Sequence, residues 1–518
     1  MNRIGTKGWL LLAVLQVVLA AGFAQKVKQD KSGKSEWVYL DKGKLNYKTL
    51  PGGGRIMDFS YAGYMGGGVA IPAPKVQLVL SSQAGDNTDA IQLAIDKVSQ
   101  MPLENGFRGA VLLREGVYDC DRALVINSNG VVLRGSGSGE KGTVINMTGK
   151  PHVCISVRGA VELKSSGVSS VFADTYVSSG AMSFTLKDAS RFAVGDMIRI
   201  SRPVTEAWVH FMGMDRLMRN GKKQTWITGE ITTERVIKEI AKNKITVDVP
   251  LTDSYDAQYL GKEGVEVTRV SMDGMLSQIG FENLRMVSPK QSGTINEGHH
   301  KAFSMSGVSD AWARNIDVFN TVNSVSVTGK RITVEQVRIF HELPTEGAAK
   351  PADINGSGQQ LLFNKCSIQG DNMFFFGTGA KVTGPVVVLN CVFRGNGWIQ
   401  PHQRWATGLL VDGCRVPDGG IDFMNRGAMG SGHGWAIGWA VAWNCAAKSF
   451  LNQQPPGAAN WVIGGFGEPQ KKAMPFDQVP LLAEGIYDVP GVSVLPQSLY
   501  LEQLSERLGA QAVKNIGY

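Results

Sequence analysis

The sequence predicts an all-β fold, a solenoid of stacked parallel coils, and three observations carry this reading. First, a short apolar strand returns at Leu284-Arg285-Met286, Ile316-Asp317-Val318, Val337-Arg338-Ile339, Cys366-Ser367-Ile368, Cys391-Val392-Phe393, Cys414-Arg415-Val416 and, weakly, Cys445-Ala446-Ala447. The middle residue is polar in most copies. Their first residues step by 32, 21, 29, 25, 23 and 31 positions, as coils do when each buries its inner face only by stacking on the next. Second, Asn283, Asn315, Asn364, Asn390, Asp412 and Asn444 open several rungs. Such side chains tolerate left-handed backbone at a corner and hydrogen-bond their neighbours. Third, 63 glycines among 518 residues suit many tight corners rather than long helices.

The elements follow in order. Residues 1–24 read as a secretory signal: Arg3 and Lys7, an apolar run from Trp9 to Ala21 broken only by Gln16, and a small-x-small site at Gly22-Phe23-Ala24. Cleavage after Ala24 leaves a secreted or periplasmic protein without a membrane span. Residues 25–75 are Lys- and Gly-rich and read as a linker. Residues 76–159 hold a cap and the first coils. Ile91, Ile95 and Val98 share one face of a helix near Gly85–Asp96, followed by strands at 109–118, 124–126 and 131–135. Residues 160–265 break the coil rhythm with strands at 183–186, 197–200 and 245–249, read as an inserted β-rich subdomain. Its middle, Trp208 to Trp226, reads either as a lid over a cleft or as part of the insertion's own core. Residues 266–470 form the main solenoid. In the tail, 471–518, an amphipathic helix from Ser498 to Val513 places Leu501, Leu504 and Leu508 on one face to cover a solenoid end or flank.

The run from Gly85 to Gly135, with its helix, strand and Gly116-Val117-Tyr118 corner, resembles the opening of the pectate-lyase-like superfamily of right-handed parallel β-helices. The resemblance implies that fold and handedness. It leaves the chemistry open, because lyases, hydrolases and epimerases share the architecture. Trp443-Asn444-Cys445 and the run Gln454 to Trp461 resemble exported bacterial β-helix proteins of the polysaccharide-lyase type.

Charged residues are 19% and apolar residues 43%, which affords a continuous core. The net charge of +8 falls to +6 without Arg3 and Lys7, a mild excess that attracts an acidic polymer. No basic cluster marks a nucleic-acid partner. Cys366, Cys391, Cys414 and Cys445 hold equivalent rung positions and are expected to stack as free, buried thiols. A monomer is expected.

Five of the seven histidines lie between 299 and 433. Three segments stand out, Glu297 to Lys301, Gln400 to Trp405 and Asn425 to Trp435, the last two on successive coils. Corner loops on adjacent coils meet in space, so His402, Arg404, Arg426 and His433 are expected to converge, with Trp405 and Trp435 as stacking faces for sugars. This set fits β-elimination on a uronic-acid polymer. A cation neutralises the carboxylate, a base removes the C5 proton, and an acid protonates the leaving oxygen. The expected catalytic residues are His402 as base, Arg404 as clamp, a role Arg426 could also fill, and His433 as acid. Arg426, Trp405, Trp435, Lys330, Arg331, His300, Lys301 and Asn372 are expected to bind substrate. His402 and Arg404, two residues apart, would face one side of an extended segment.

Two other classes remain open. A glycoside hydrolase would draw its two carboxyls from Asp353, Asp371, Asp412 and Asp422, with Asp412 read as structural. A non-catalytic polysaccharide-binding or adhesin solenoid would spread its aromatics more evenly. No dense acidic string supports calcium, and no cofactor is expected.

Overall fold

A computed structural model describes residues 32–291, 295–476 and 481–518; the expected signal peptide lies outside them. The chain forms an all-β right-handed parallel solenoid. Three parallel ladders make its faces. One runs from Val76–Leu80 through Gly109–Leu113, Val131–Gly135, Gly280–Val287, Val308–Phe319, Lys330–Phe340, Gln359–Asn364, Thr383–Leu389 and Ala406–Asp412 to Ile486–Asp488. A second carries the recurring triplets, and a third includes Lys301–Ser306, Val325–Val327, Ala352–Gly356, Met373–Gly377, Gly397–Ile399 and Arg415–Phe423.

The register matches the sequence repeat. Leu284 pairs with Ile316 and Ile316 with Val337, while Arg338, Ser367, Val392, Arg415 and Ala446 follow one another in adjacent strands. Cys366, Cys391, Cys414 and Cys445 therefore stack, each at most 1% exposed and unoxidised. Burial raises the thiols of Cys391, Cys414 and Cys445 well above their ordinary range, as expected of inert apolar packing. The left-handed corner residue directly precedes each triplet: Asn283, Asn315, Gln336, Lys365, Asn390, Gly413 and Asn444 all have φ between 49° and 64°. Asn364 and Asp412 sit one residue earlier, so Lys365 and Gly413 take those corners. Asn315 Nδ2 donates to Asn283 Oδ1 at 2.7 Å, tying adjacent corners together.

The helix Thr88–Ser99 caps the first coils with Ile91, Ala94, Ile95 and Val98 buried. The stretch read as a linker is instead part of the packed body. Val38–Asp41 and Lys44–Tyr47 form a hairpin, Ile56, Met57 and Phe59 are at most 2% exposed, and Gly33–Lys34 pairs with Val494–Leu495. Gln503 Oε1 accepts from Phe59 N at 2.9 Å, and Tyr500 donates to Ala62 O at 2.7 Å.

The insertion is a six-stranded antiparallel sheet with its own core around Phe172, Phe184, Ile198 and Val267. It extends past 265, because Glu266–Asp273 pairs with Glu162–Val171. Trp208 and Trp226 join a different cluster, with Trp405, Trp435 and Trp439 of the solenoid. That segment thus welds the insertion to the coils.

The C-terminal helix is two helices, Leu499–Leu508 and Ala510–Asn515, broken at Gly509 with φ 83°. Its buried face is Leu499, Tyr500, Gln503 and Leu504, while Leu508 is 48% exposed. Ser498 caps the first helix by accepting from Leu501 N, and its hydroxyl donates to Asp412 at 2.7 Å. Among the described residues no helix is long and apolar enough to cross a membrane.

Candidate functional site

Along the third ladder alternate residues point outward, and Ala352, Phe374, Trp398, Gly420, Ser449 and Glu468 share one row. The Phe374 and Trp398 rings lie 6.4 Å apart, and the Lys350 ammonium sits 5.2 Å from the Trp398 ring centre. Gly420 is the point where this row packs most tightly, with Trp398, Ser449 and Asp422 closing over it. A Cβ there would lie 2.8 Å from Trp398 and 3.2 Å from Asp422 Oδ1. One outward row further on, Gln400 Nε2 donates to Asp422 Oδ2 at 2.7 Å.

Burial pushes the Asp422 carboxyl from the ordinary 3.8 up to about 6, against the opposing pull of Gln400, Lys472 and Arg426. Asp422 thereby becomes a group that exchanges its proton near neutral pH. Arg426 is buried and cationic. Its Nη1 donates to Nδ1 of His402 at 2.9 Å and to its carbonyl at 3.0 Å, and its guanidinium stands 5.1 Å from the Phe374 ring centre. Its Nε has no hydrogen-bond partner among the described residues. Burial and the Arg426 charge hold His402 down at about 4, so its ring is neutral at pH 7. Arginine only donates, so His402 Nδ1 must accept and the ring proton sits on Nε2. His433 stacks obliquely on His402 with ring centres 4.8 Å apart, and burial and Arg426 keep it neutral down to about pH 3.

The structure thus brings His402, Arg426 and His433 together but changes what they can do. The lone pair His402 needs as a base is engaged by Arg426, leaving it as an Nε2–H donor. His433, neutral throughout the physiological range, is no proton donor. Arg404 is not a free clamp: its guanidinium donates to Trp226 O, Gln403 Oε1, Ser431 O and Ser431 Oγ, binding two loops together. His402 and Arg404 do not share an extended face either, because Arg404 and Trp405 are left-handed, with φ 51° and 60°. Trp405 and Trp435 are each 2% exposed and donate to Asp253 Oδ2 and Met212 O, so neither stacks outward beside His402 and Arg426.

The remaining predicted residues lie elsewhere. Arg331 is committed to Asp310 by two 2.6 Å hydrogen bonds. Lys330 lines a cleft of about 460 Å³ beneath the insertion, where burial lowers its ammonium to about 8. His300 packs on His152, and Lys301 begins a strand four ladder positions before Gly397–Ile399, roughly 19 Å away at the usual strand spacing. Asn372 holds the neighbouring loop by donating to Thr345 O and accepting from Lys350. Of the hydrolase carboxyls, Asp353 is fully buried between Ser324 and His341, Asp412 binds Ser498 and Tyr500, and Asp371 accepts from Asn396 N. Among the described residues no group of three or more His, Cys, Asp or Glu side chains is placed to hold a metal ion.

Sequence reasoning missed Phe374, Trp398, Gln400 and Lys350. Trp398 was findable, since strand alternation puts it on the face opposite the inward Ile399.

No protein-family model matches this chain, and no curated protein matches it. Solved structures similar to it include the tailspike protein gp49 from Pseudomonas phage LKA1, at 12% identity and TM-score 0.39, over 74% of this chain and 69% of that one. PfbA, a surface adhesin of Streptococcus pneumoniae, is similar at 10% identity and TM-score 0.36, over 76% and 86%. The Azotobacter vinelandii mannuronan C-5 epimerase AlgE4 A-module is similar at 10% identity and TM-score 0.27, over 78% and 100%. At these scores the function has to be argued from the site itself.

Proposed function

We propose that this protein is a secreted carbohydrate-active enzyme that cleaves an acidic, uronic-acid-containing polysaccharide by β-elimination at the Trp398–Asp422–Arg426 face. The observation that carries the reading is the place of Asp422, a carboxyl poised near neutral pH inside a frame of cations and beside an outward aromatic row. A sugar ring packs on Trp398, whose indole edge lies against Gly420 beside Asp422. The free Nε–H of Arg426 and the ammonium groups of Lys350 and Lys472 draw the uronate carboxylate, which makes the C5 proton more acidic.

Asp422 takes that proton. The C5–H electron pair becomes the C4–C5 double bond, the C4–O bond breaks, and its electron pair leaves with the oxygen. The protonated Asp422 returns its proton to that oxygen, so one group serves when both bonds lie on the same side of the ring. His402 Nε2–H donates a hydrogen bond to substrate. Hydrolysis asks for two working carboxyls, and Asp353, Asp371 and Asp412 are each engaged in hydrogen bonds within the fold.

The test is a screen of uronic-acid polymers with the wild-type chain and with Arg426→Gln, reading ultraviolet absorbance of unsaturated products and new reducing ends together. Both signals should rise with the wild type on at least one polymer and fall at least tenfold in the variant. Reducing ends alone would mean hydrolysis. Binding without either signal would mean a non-catalytic solenoid.

A further inference from the structure

A cavity of about 440 Å³ lies at the seam of the N-terminal segment, the insertion and the solenoid, apart from the Asp422 face. Its size falls within the roughly 300–1,000 Å³ of small-molecule sites. Its walls are aromatic: Trp208, Trp405 and Trp439, with the half-buried pair Phe211 and Tyr259 stacked at 4.1 Å and 16°. Gly54 shapes the wall, since a Cβ there would press to 2.7 Å on Trp439.

The polar groups in this cavity are built in and incompletely used. Arg202 is 4% exposed and lies 3.9 Å over the Trp208 ring. Its Nε and Nη1 have no hydrogen-bond partner among the described residues, and its nearest acid, Asp253, stands 3.8 Å off. Asp253, 2% exposed, accepts from Trp405 Nε1 at Oδ2 and from Ser254 N at Oδ1, each at 2.8 Å. The indole N–H of Trp439 is also buried without a partner among the described residues. Buried donors left unpaired are costly, and a bound acceptor removes that cost.

The charges narrow the ligand class. Arg202 and Asp253 cancel, and Asp256 leaves the lining with a net negative charge. A carboxylate or phosphate is therefore disfavoured. A neutral pyranose fits. Its hydroxyl oxygens accept from Arg202 and Trp439, its hydroxyl protons go to Asp256 and Asp253, and its C–H faces pack on the Phe211–Tyr259 pair.

We infer that this seam cavity is a second carbohydrate site, which binds a neutral sugar ring independently of the reaction face. The site joins parts far apart in sequence, so its ligand would also clamp the insertion to the coils.

The test uses the full chain and methyl pyranosides of the gluco, galacto, manno and N-acetylgluco series, with glucuronate and galacturonate as charged counterparts. Binding is read by calorimetry and by tryptophan fluorescence, since Trp208, Trp405 and Trp439 line the cavity. At least one neutral pyranoside should bind saturably and shift the fluorescence. Tyr259→Ala and Asp256→Asn, both at partly exposed positions, should each weaken it about tenfold or more, while Asp422→Asn should leave it unchanged. Absence of saturable binding by every pyranoside would overturn the inference. So would tighter binding of a uronate than of its neutral counterpart, or unchanged affinity in both cavity variants with normal thermal unfolding.

Discussion

Replacing Asp422 by Asn separates the cost of this carboxyl from its use. The side chain is 5% exposed, and burial moves its proton equilibrium from the ordinary 3.8 to about 6. The folded chain therefore holds this proton more tightly than the unfolded chain does. Between pH 3.8 and about 6 stability falls as pH rises, and above that range the charged carboxylate costs on the order of 3 kcal/mol. Asn keeps an acceptor for Gln400 and carries no charge. At pH 8 the variant should therefore melt a few degrees above the wild type, and the gap should close as the pH drops to 4. Turnover should move the other way, falling about a hundredfold or more with the loss of the proton carrier. Wild-type turnover should climb as pH passes about 6, where Asp422 becomes a base, and the variant should lack that limb. Melting curves from pH 4 to 8 and pH–rate profiles read both effects. A stability gap that ignores pH, or a variant that melts lower at pH 8 than at pH 4 relative to wild type, would mean that Asp422 is a satisfied ion rather than a strained one.

Gly420→Ala should push Trp398 and Asp422 out of place, raising KM at least severalfold and lowering the melting temperature; steady-state kinetics and thermal unfolding check it. Trp398→Ala should weaken polysaccharide binding about tenfold without loss of fold, read by titration with the polymer that is cleaved. Arg404→Ala should act on stability instead, costing about 1–3 kcal/mol by releasing Trp226 O and Ser431, as thermal unfolding would show. Thiol titration of the unfolded, unreduced chain should find all six cysteines free, and fewer would break the stacked-thiol picture.

The solenoid was legible because stacking repeats one physical demand on every coil. Each triplet must bury its ends and each corner must turn left-handed, so the spacing of Leu284, Ile316, Val337 and the four cysteines reproduces the true register. The corner rule is strong enough to impose left-handed geometry on Gln336 and Lys365, which composition does not flag. The N-terminal segment was misread because its partners are distant: Phe59 and Gln503 are separated by 444 positions. Gly509 announced the break in the C-terminal helix, but the leucine spacing spoke louder.

The site was half legible. Adjacent-coil reasoning correctly joined His402, Arg426 and His433. It missed that two successive left-handed residues, Arg404 and Trp405, swing those side chains into the body, where tertiary hydrogen bonds consume them. Which tryptophans face out depends on strand phase: Trp398 alternates with inward residues, whereas Trp435 lies in a folded-back loop bridged to Asn425.

The decisive measurement is mass spectrometry of products made in heavy-oxygen water from a uronic-acid polymer that the protein cleaves. Elimination adds no water: each cut should give one fragment with an unsaturated terminal uronate and a new reducing end free of solvent oxygen, and Asp422→Asn should abolish both products. Heavy oxygen incorporated at each new reducing end, with no unsaturated sugar, would contradict elimination and place the chemistry in hydrolysis.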